Sequence, residues 1–326
     1  MIAYTLPITS PSTDFHSALL AAIALHDSKQ GRVKSWPKRS AAALKKFLDN
    51  PDAKKLPSLW SEIKHVYVLL QGGKCGFCER LLGKDEVAAY ESDAEHFRPK
   101  KGVTSWPPAT PIGHDPYPAD LPATSGKGAG YRRLPYHELN YMVACKTCNT
   151  RCKGNFFPVA GKHRFTAADP LGLRAEEQPY LIFPLGGLDD DPEALLTFIG
   201  CKAIPARPDS DTYSWNRARI TIAFFLLNDP SREDQLILER AARLDLLGHK
   251  IEGFERSTEA ERGAAWEAVK AEGSANQPHT NCVRSLIHLY LHDPATAHQR
   301  IAEARAYRRS KLDLAGWAAQ QPALRG

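Results

Sequence analysis

Two closely spaced cysteine pairs mark the part of the chain whose residue types could do chemistry. The first pair is Cys75 and Cys78, and the second is Cys145 and Cys148. Two Cys-x-x-Cys turns are typical of a structural zinc site, in which each turn supplies two sulfurs of a tetrahedron. The same spacing also occurs in redox motifs, but the surrounding sequence lacks the βαβ pattern of a thioredoxin-like protein. We therefore predict that the four cysteines bind one Zn²⁺.

Between the two pairs lie an adjacent carboxylate and imidazole, Glu95 and His96, and Asn149 directly follows Cys148. Hydrolysis of a phosphodiester needs a base that activates water and a divalent cation on the scissile phosphate. Histidine titrates near neutral pH, so His96 is a candidate general base. Carboxylate and carboxamide oxygens suit Mg²⁺ or Mn²⁺, so Glu95 and Asn149 are candidate ligands of a catalytic ion. Alternatively, an isolated Glu-His pair is usually structural, and Asn149 could cap a helix.

Basic residues near this segment are candidate contacts to a phosphate backbone. Arg98 and Lys100 follow His96 closely, and a Pro- and Gly-rich insertion over residues 101–135 adds further lysines and arginines. Contact with nucleic acid is one interpretation of this charge, and a solvated surface is the other. The net charge of the whole chain, +6, fits a nucleic-acid partner without requiring one. Cys152 is either a fifth metal ligand or a bystander, since four thiolates already complete a tetrahedron.

The elements that must position these residues are predicted to be mainly helical. Apolar spacing predicts helices over 14–27, 40–48 and 58–70 before the first cysteine pair, with Thr13 or Asp14 as the first N-cap. One short strand is expected to end near Glu95 and His96, a second over 136–143, and a helix is expected to begin near Thr147. Further strands are predicted over 181–184 and 195–200, and helices over 214–227, 232–247, 252–272, 279–291 and 294–319. The fold class is therefore α+β and mostly helical, with regions at 1–72, 73–160 and 161–326.

Composition and hydropathy exclude several classes of protein. The chain has 326 residues, a length that can bury one or two hydrophobic cores. Of these residues 43% are hydrophobic and 25% are charged, as in an ordinary globular protein. An odd cysteine count, seven, argues against a secreted disulfide framework. The apolar run over 18–25 lacks the flanks of a signal peptide, and no run approaches the ~20 residues of a membrane span. We expect a cytoplasmic protein without a membrane partner.

These motifs together resemble a known family. The chain is similar to the HNH endonucleases, and within them it looks like PtuB, the HNH nuclease subunit of Septu-type anti-phage defence that also occurs beside some retrons. The residues that carry the resemblance are Cys75-Gly76-Phe77-Cys78-Glu79, Glu95-His96-Phe97-Arg98-Pro99-Lys100, Asn140, Cys145, Cys148-Asn149, Lys153-Gly154 and Phe157-Pro158. Weaker trailing motifs, Asp190-Asp191-Pro192-Glu193 and Thr221-Ile222 to Leu227-Asn228, extend the resemblance over roughly residues 65–245.

The resemblance implies a ββα-metal (HNH) core over residues 73–160, stabilised by the zinc site. It implies that His96 is the general base, that Glu95 and Asn149 bind the catalytic ion, and that Asn140 steadies the loop that carries the base. In many HNH proteins a helix lysine, a candidate phosphate contact, lies three residues after the last signature residue. Here Lys153 lies four after Asn149, which turns it by about 100° on an α-helix.

The resemblance also implies a separately encoded ATPase partner, and this chain has no G-x-x-x-x-G-K-[ST] motif of its own. We therefore predict a metal-dependent HNH endonuclease that cleaves DNA in phage defence, although the sequence does not distinguish DNA from RNA. Two alternatives remain. The chain could be a zinc-stabilised nucleic-acid-binding module without catalysis, or an assembly subunit whose helical tail docks on a partner.

Overall fold

The described part of the chain, in a computed structural model, comprises residues 1–5, 14–50, 56–83, 90–113, 116–122, 124 and 126–311. Within these residues the fold is α+β and mostly helical with two small sheets, as the sequence predicts. The possible N-cap Thr13 and the predicted helix beyond residue 311 lie outside the described residues. None of the described helices is both long and apolar enough to cross a membrane.

Three helices precede the first cysteine pair: α1 (Phe15–Lys29), α2 (Trp36–Leu48) and α3 (Trp60–Leu70). The Asp14 side chain accepts a hydrogen bond from Ser17 N at 2.7 Å and so caps the start of α1. The second helix begins at Trp36 rather than at the predicted Ser40. Pro37 lies in its first turn, where the fixed φ and the missing N–H of proline suit a helix start.

A β-hairpin and a helical turn carry the second cysteine pair and the Glu95-His96 segment. Strand β1 (Ser92–His96) pairs antiparallel with β2 (Tyr141–Cys145), which places His96 opposite Tyr141. The second strand starts later than predicted because a short 3₁₀ helix, Glu138–Asn140, occupies the preceding residues. A π-helix, Thr147–Lys153, follows β2. The hairpin therefore joins the second cysteine pair directly to the Glu95-His96 segment.

The remainder is helical apart from a second hairpin, in which β3 (Leu196–Ile199) pairs antiparallel with β4 (Lys202–Pro205). The strand predicted over 181–184 is wrong, because this buried segment ends in an isolated bridge between Tyr4 and Leu185 instead of a ladder. The further helices are α4 (Leu173–Glu177), α5 (Pro192–Leu195), α6 (Thr212–Phe224), α7 (Leu236–Arg256), α8 (Glu259–Glu272), α9 (Thr280–His292) and α10 (Pro294–Lys311).

Buried apolar side chains form two clusters. The first draws on residues from Met1 to Leu236 and contains all four cysteines of the two pairs. The second draws on residues from Ala241 to Ala304, which belong to the last four helices. The first cluster crosses the predicted region boundaries at 72/73 and 160/161. The cysteine segment is thus embedded between N-terminal and C-terminal segments, and the division into three regions stays a prediction.

Candidate functional site

The four cysteines of the two pairs meet in one place. Their sulfurs all lie within 4.8 Å of one another, and the Sγ atoms of Cys78 and Cys145 are 3.8 Å apart. Four sulfurs bound at about 2.3 Å to a tetrahedral zinc ion would lie about 3.8 Å apart. All four side chains are buried and none is in a disulfide. The donor set and its spacing therefore fit a metal ion such as zinc.

A buried glutamine links the turn of the first cysteine pair to the strand that carries the second. The Gln71 side-chain amide donates to the carbonyl oxygens of Lys74 and Val143, both at 2.9 Å. Its Oε1 accepts from Val143 N at 2.7 Å. These bonds hold together two segments that are distant in sequence. No motif or spacing in the sequence indicates this role of Gln71.

A buried arginine from the C-terminal half contacts the sulfurs. Arg232 Nη2 donates to Cys148 Sγ at 3.2 Å and lies 3.8 Å from Cys145 Sγ, and it also pairs with Asp234 at 2.9 Å. Four thiolates outweigh the two charges of a zinc ion, so a buried cation beside them compensates the excess. Burial opposes ionisation of Cys78, but hydrogen bonds from the neighbouring thiols and the charge of Arg232 lower its pKa well below its usual value.

The predicted catalytic pair lies where β1 ends. Glu95 and His96 are the last two residues of the strand, and the charges of Lys100 and Lys153 act on both side chains. The Glu95 side chain lies against the π-helix, with Oε1 3.2 Å from Lys153 Nζ. The His96 ring packs edge-on against two aromatic rings, with centroids 4.8 Å from that of Trp60 and 5.0 Å from that of Tyr141. Both side chains are buried.

Hydrogen bonds fix the tautomer of His96. Its Nε2 lies 3.1 Å from the carbonyl oxygen of Pro135, which can only accept, so Nε2 carries the proton. The basic nitrogen is therefore Nδ1, which accepts from Lys100 Nζ at 3.3 Å. Burial and the charges of Lys100 and Lys153 hold the pKa of His96 well below its usual value. The imidazole is thus neutral at pH 7, as a general base requires.

Asn140 is fully buried and ties together the two segments beside His96. Its Oδ1 accepts from Arg98 N at 2.9 Å, and its Nδ2 donates to the carbonyl oxygens of Arg98 at 3.1 Å and Leu134 at 3.2 Å. One segment follows His96 directly, and the other leads into Pro135, the residue that orients the imidazole. Asn140 therefore acts on His96 through the backbone rather than by touching its ring.

The Glu95–Lys153 pair is buried and incompletely satisfied. The two side chains are 8% and 0% exposed, and their 3.2 Å separation is that of an ion pair. Neither Glu95 Oε1 nor Lys153 Nζ has a well-aligned hydrogen bond, so we treat the contact as electrostatic. Burial raises the pKa of Glu95 and lowers that of Lys153. A buried carboxylate oxygen that lacks an aligned donor is a suitable ligand for a hard divalent cation.

The π-helix changes the position of Lys153. Gly154 N donates to Asn149 O at 2.8 Å, which is an i→i+5 bond. A π-helix takes more residues per turn than an α-helix, so residues four apart lie closer to one face. Lys153 follows Asn149 by four residues instead of three, and the wider turn of the π-helix compensates for the extra residue. Lys153 therefore reaches Glu95 instead of turning away from it.

Asn149 contacts an acidic residue that sequence analysis did not single out. Its Nδ2 donates to Asp93 Oδ2 at 2.8 Å, and Asp93 Oδ1 accepts from Lys146 Nζ at 2.6 Å. The structure thus places Asn149 beside Asp93. Strand alternation was the available signal, because Asp93 and Glu95 are two residues apart and share a face.

Among the described residues, the four cysteines are the one group of three or more His, Cys, Asp or Glu side chains close enough to share an ion. A catalytic ion at Glu95 would therefore complete its shell with carboxamide, water and phosphate oxygens, a mixture that is usual for Mg²⁺.

Arg98, a predicted phosphate contact, lies inside the protein. Its side chain is 6% exposed, and Nε donates to Oε2 of the fully buried Glu177 at 2.8 Å. The other oxygen of Glu177 accepts from the Tyr131 hydroxyl at 2.5 Å. The guanidinium of Arg98 is thus occupied inside the protein. Lys100 is half-buried, 4.6 Å from the Trp60 ring centroid, and remains a candidate phosphate contact.

Arg98→Ala is expected to lower the free energy of unfolding by about 3–5 kcal/mol, because it leaves the carboxylate of Glu177 buried without its cation. Urea unfolding measures the change. The control is Arg164→Ala, which removes an arginine from a surface pair with Glu176 whose side chains are 55% and 54% exposed. That change should cost at most about 1 kcal/mol. Equal losses for the two variants would contradict the structural role of Arg98.

Comparison with known proteins gives one informative similarity. The chain is 30% identical to the Septu protein PtuB of Bacillus mycoides (strain KBAB4) over 136 residues, which are 42% of this chain and 38% of that protein. The chain therefore matches less than half of the length of this relative. No family model matches the chain, and no solved structure matches it significantly. The predicted closeness to PtuB is confirmed.

Proposed function

We propose that the chain is the nuclease subunit of a Septu-type anti-phage defence system and hydrolyses DNA phosphodiesters with a divalent metal ion. One observation carries the proposal: a metal-fitting cysteine cluster anchors a hairpin whose first strand ends in a deprotonated, oriented His96 and a buried, unsatisfied Glu95. The similarity to the Septu protein PtuB supports the same function.

In this proposal, His96 Nδ1 takes a proton from the water that attacks the phosphate. The Pro135 carbonyl keeps Nε2 protonated, so the accepting nitrogen is defined before substrate binds. Glu95 and Asn149 would hold Mg²⁺ or Mn²⁺, and the bound ion would supply charge stabilisation for the scissile phosphate and the leaving oxygen. Lys100 lies next to the accepting nitrogen and is the proposed cationic contact to a phosphate oxygen.

The cysteine site is assigned to structure rather than to hydrolysis. Four thiolates would close the tetrahedron around Zn²⁺ and leave no position for water, as in structural zinc sites. The cluster joins the first cysteine turn to β2, so the ion would fix the strand pair that presents Glu95 and His96. Zinc binding would thereby supply folding free energy to the hairpin.

The proposed substrate is DNA, and RNA is the alternative because it offers the same phosphodiester. A separately encoded ATPase is the proposed partner, as the resemblance to the Septu protein PtuB implies. The 326 residues contain no phosphate-binding loop motif. We place the complex in the cytoplasm, where phage DNA is exposed to it.

The test incubates the purified chain with plasmid DNA and with labelled RNA, with and without the partner, in Mg²⁺, Mn²⁺ or EDTA. We expect cleavage that requires a divalent ion. Glu95→Ala should lower cleavage at least about a hundredfold, because the proposed metal ligand is removed, while DNA affinity stays within about threefold. Glu91→Ala, an exposed carboxylate just before β1, is the matched control and should cleave normally.

Two outcomes would change the interpretation. If Glu95→Ala cleaves as fast as the parent, the assigned metal ligand is wrong. If the parent binds DNA with a salt-dependent affinity but cleaves neither substrate under any condition, the chain is a zinc-stabilised binding or assembly subunit without catalysis.

A further inference from the structure

We infer that Asp93 is a positioning residue that orients the carboxamide of Asn149 as a metal ligand, an inference that rests on the proposed function. The observation is the hydrogen bond from Asn149 Nδ2 to Asp93 Oδ2 at 2.8 Å. It is made on the face of β1 that also carries Glu95, whose buried carboxylate has an oxygen with no aligned donor.

The bond decides which end of the carboxamide is available to a cation. A carboxamide has a donating NH₂ and an accepting oxygen, and a carboxylate can only accept. Asp93 therefore selects the NH₂ end and turns Oδ1 of Asn149 away from itself. Without this partner the amide could rotate by half a turn and present its NH₂ group, whose partial positive charge repels a cation.

A second contact fixes the carboxylate of Asp93. Its Oδ1 accepts from Lys146 Nζ at 2.6 Å, so both carboxylate oxygens are engaged and the group has a defined plane. The hydrogen bonds form a chain from Lys146 to Asp93 to Asn149, in which each side chain orients the next. Partners of this kind commonly fix metal-ligating side chains, and their loss typically weakens metal binding 10- to 100-fold.

The packing of the π-helix on β1 places this bond beside Glu95. Asp93 and Glu95 are two residues apart on the strand, and Asn149 and Lys153 are four apart on the helix. The contacts pair them in order, Asp93 with Asn149 and Glu95 with Lys153. The carboxamide and the buried carboxylate therefore lie on one face of the hairpin, the arrangement that a shared ion would need.

The experiment measures Mn²⁺ binding to the full, zinc-loaded chain by titration calorimetry, together with zinc content and thermal unfolding. Asp93→Ala should weaken Mn²⁺ binding about 10- to 100-fold and raise the Mn²⁺ concentration for half-maximal cleavage by a similar factor. Asp93→Asn keeps an oxygen that can accept from Asn149, so its affinity should stay within about threefold of the parent. Glu91→Ala is the exposed control on the same segment.

A double variant separates orientation from general structural support. In Asp93→Ala with Asn149→Asp, the ligand has oxygens at both ends and needs no orienting partner, so Mn²⁺ affinity should recover to within about threefold of the parent. If Asp93→Ala does not retain zinc, Asp93→Val, which also lacks an accepting oxygen and suits a strand, takes its place with the same expectations.

Three results would overturn an assignment, and they can be told apart. Mn²⁺ affinity unchanged in Asp93→Ala, or no recovery in the double variant, would refute the positioning role. If Glu95→Ala also binds Mn²⁺ as the parent does, the proposed catalytic metal site itself is wrong. If Glu95→Ala loses Mn²⁺ while Asp93→Ala keeps it, only the inference about Asp93 fails.

Discussion

Replacing His96 with alanine is expected to lower divalent-dependent DNA cleavage by a factor of about 10² to 10⁴, the usual contribution of a general base. The reason is the defined tautomer: Pro135 holds the proton on Nε2, which leaves Nδ1 as the accepting nitrogen, and alanine has no such group. Single-turnover cleavage of plasmid at saturating Mg²⁺ measures the loss, and DNA affinity should change by less than about threefold.

Two further variants make the result specific to the imidazole base. His65→Ala removes an exposed histidine from α3 and should cleave normally. His96→Asn keeps a donor that can bond to the Pro135 carbonyl but has no basic nitrogen, so it should be as inactive as His96→Ala while unfolding at a higher temperature. Cleavage by either His96 variant within about threefold of the parent would mean that another group activates the water.

Cys148→Ser is expected to abolish stoichiometric zinc binding and to unfold the hairpin region. Structural zinc contributes on the order of 10 kcal/mol to small modules, which is comparable to the whole 5–15 kcal/mol stability of a typical protein. The measurements are zinc per chain by elemental analysis and the thermal unfolding profile. We expect the zinc content to fall from one ion per chain to well below one, with loss of cleavage as a consequence.

Cys152→Ser is the matched control for this prediction. Cys152 is also buried, and burial raises the pKa of its thiol to about 12, but it lies outside the group of four sulfurs. The variant should therefore retain one zinc ion per chain. Stoichiometric metal in Cys148→Ser, or its loss in Cys152→Ser, would show that the ligand set is different.

Much of the candidate site was predictable from the sequence because its signals are local. A Cys-x-x-Cys turn brings two thiols together whatever surrounds it, so spacing named the four candidate metal ligands, while their meeting in one place is seen only in the structure. Glu95 and His96 are adjacent in the sequence, and Asn149 directly follows Cys148. Their residue types alone suggested a general base and two ligands of a divalent cation. The apolar period likewise predicted most helices, since amphipathic spacing depends on neighbours a few residues away.

Only the tertiary structure decided which of these residues face one another. Arg98 looked like a phosphate contact beside His96, but Glu177, far along the chain, holds it inside the protein. The π-helix brings Lys153 to Glu95 and Asn149 to Asp93, and both contacts depend on how this helix packs on the hairpin.

The sequence alone therefore determined which chemical groups the candidate site contains, because residue types and short spacings can be recognised from a few neighbouring residues. The long-range contacts determined which of these groups lie together. The position of Arg232 at the sulfurs is the clearest case: nothing near residue 232 in the sequence indicates it, and it exists because folding brings two distant segments into the same buried space.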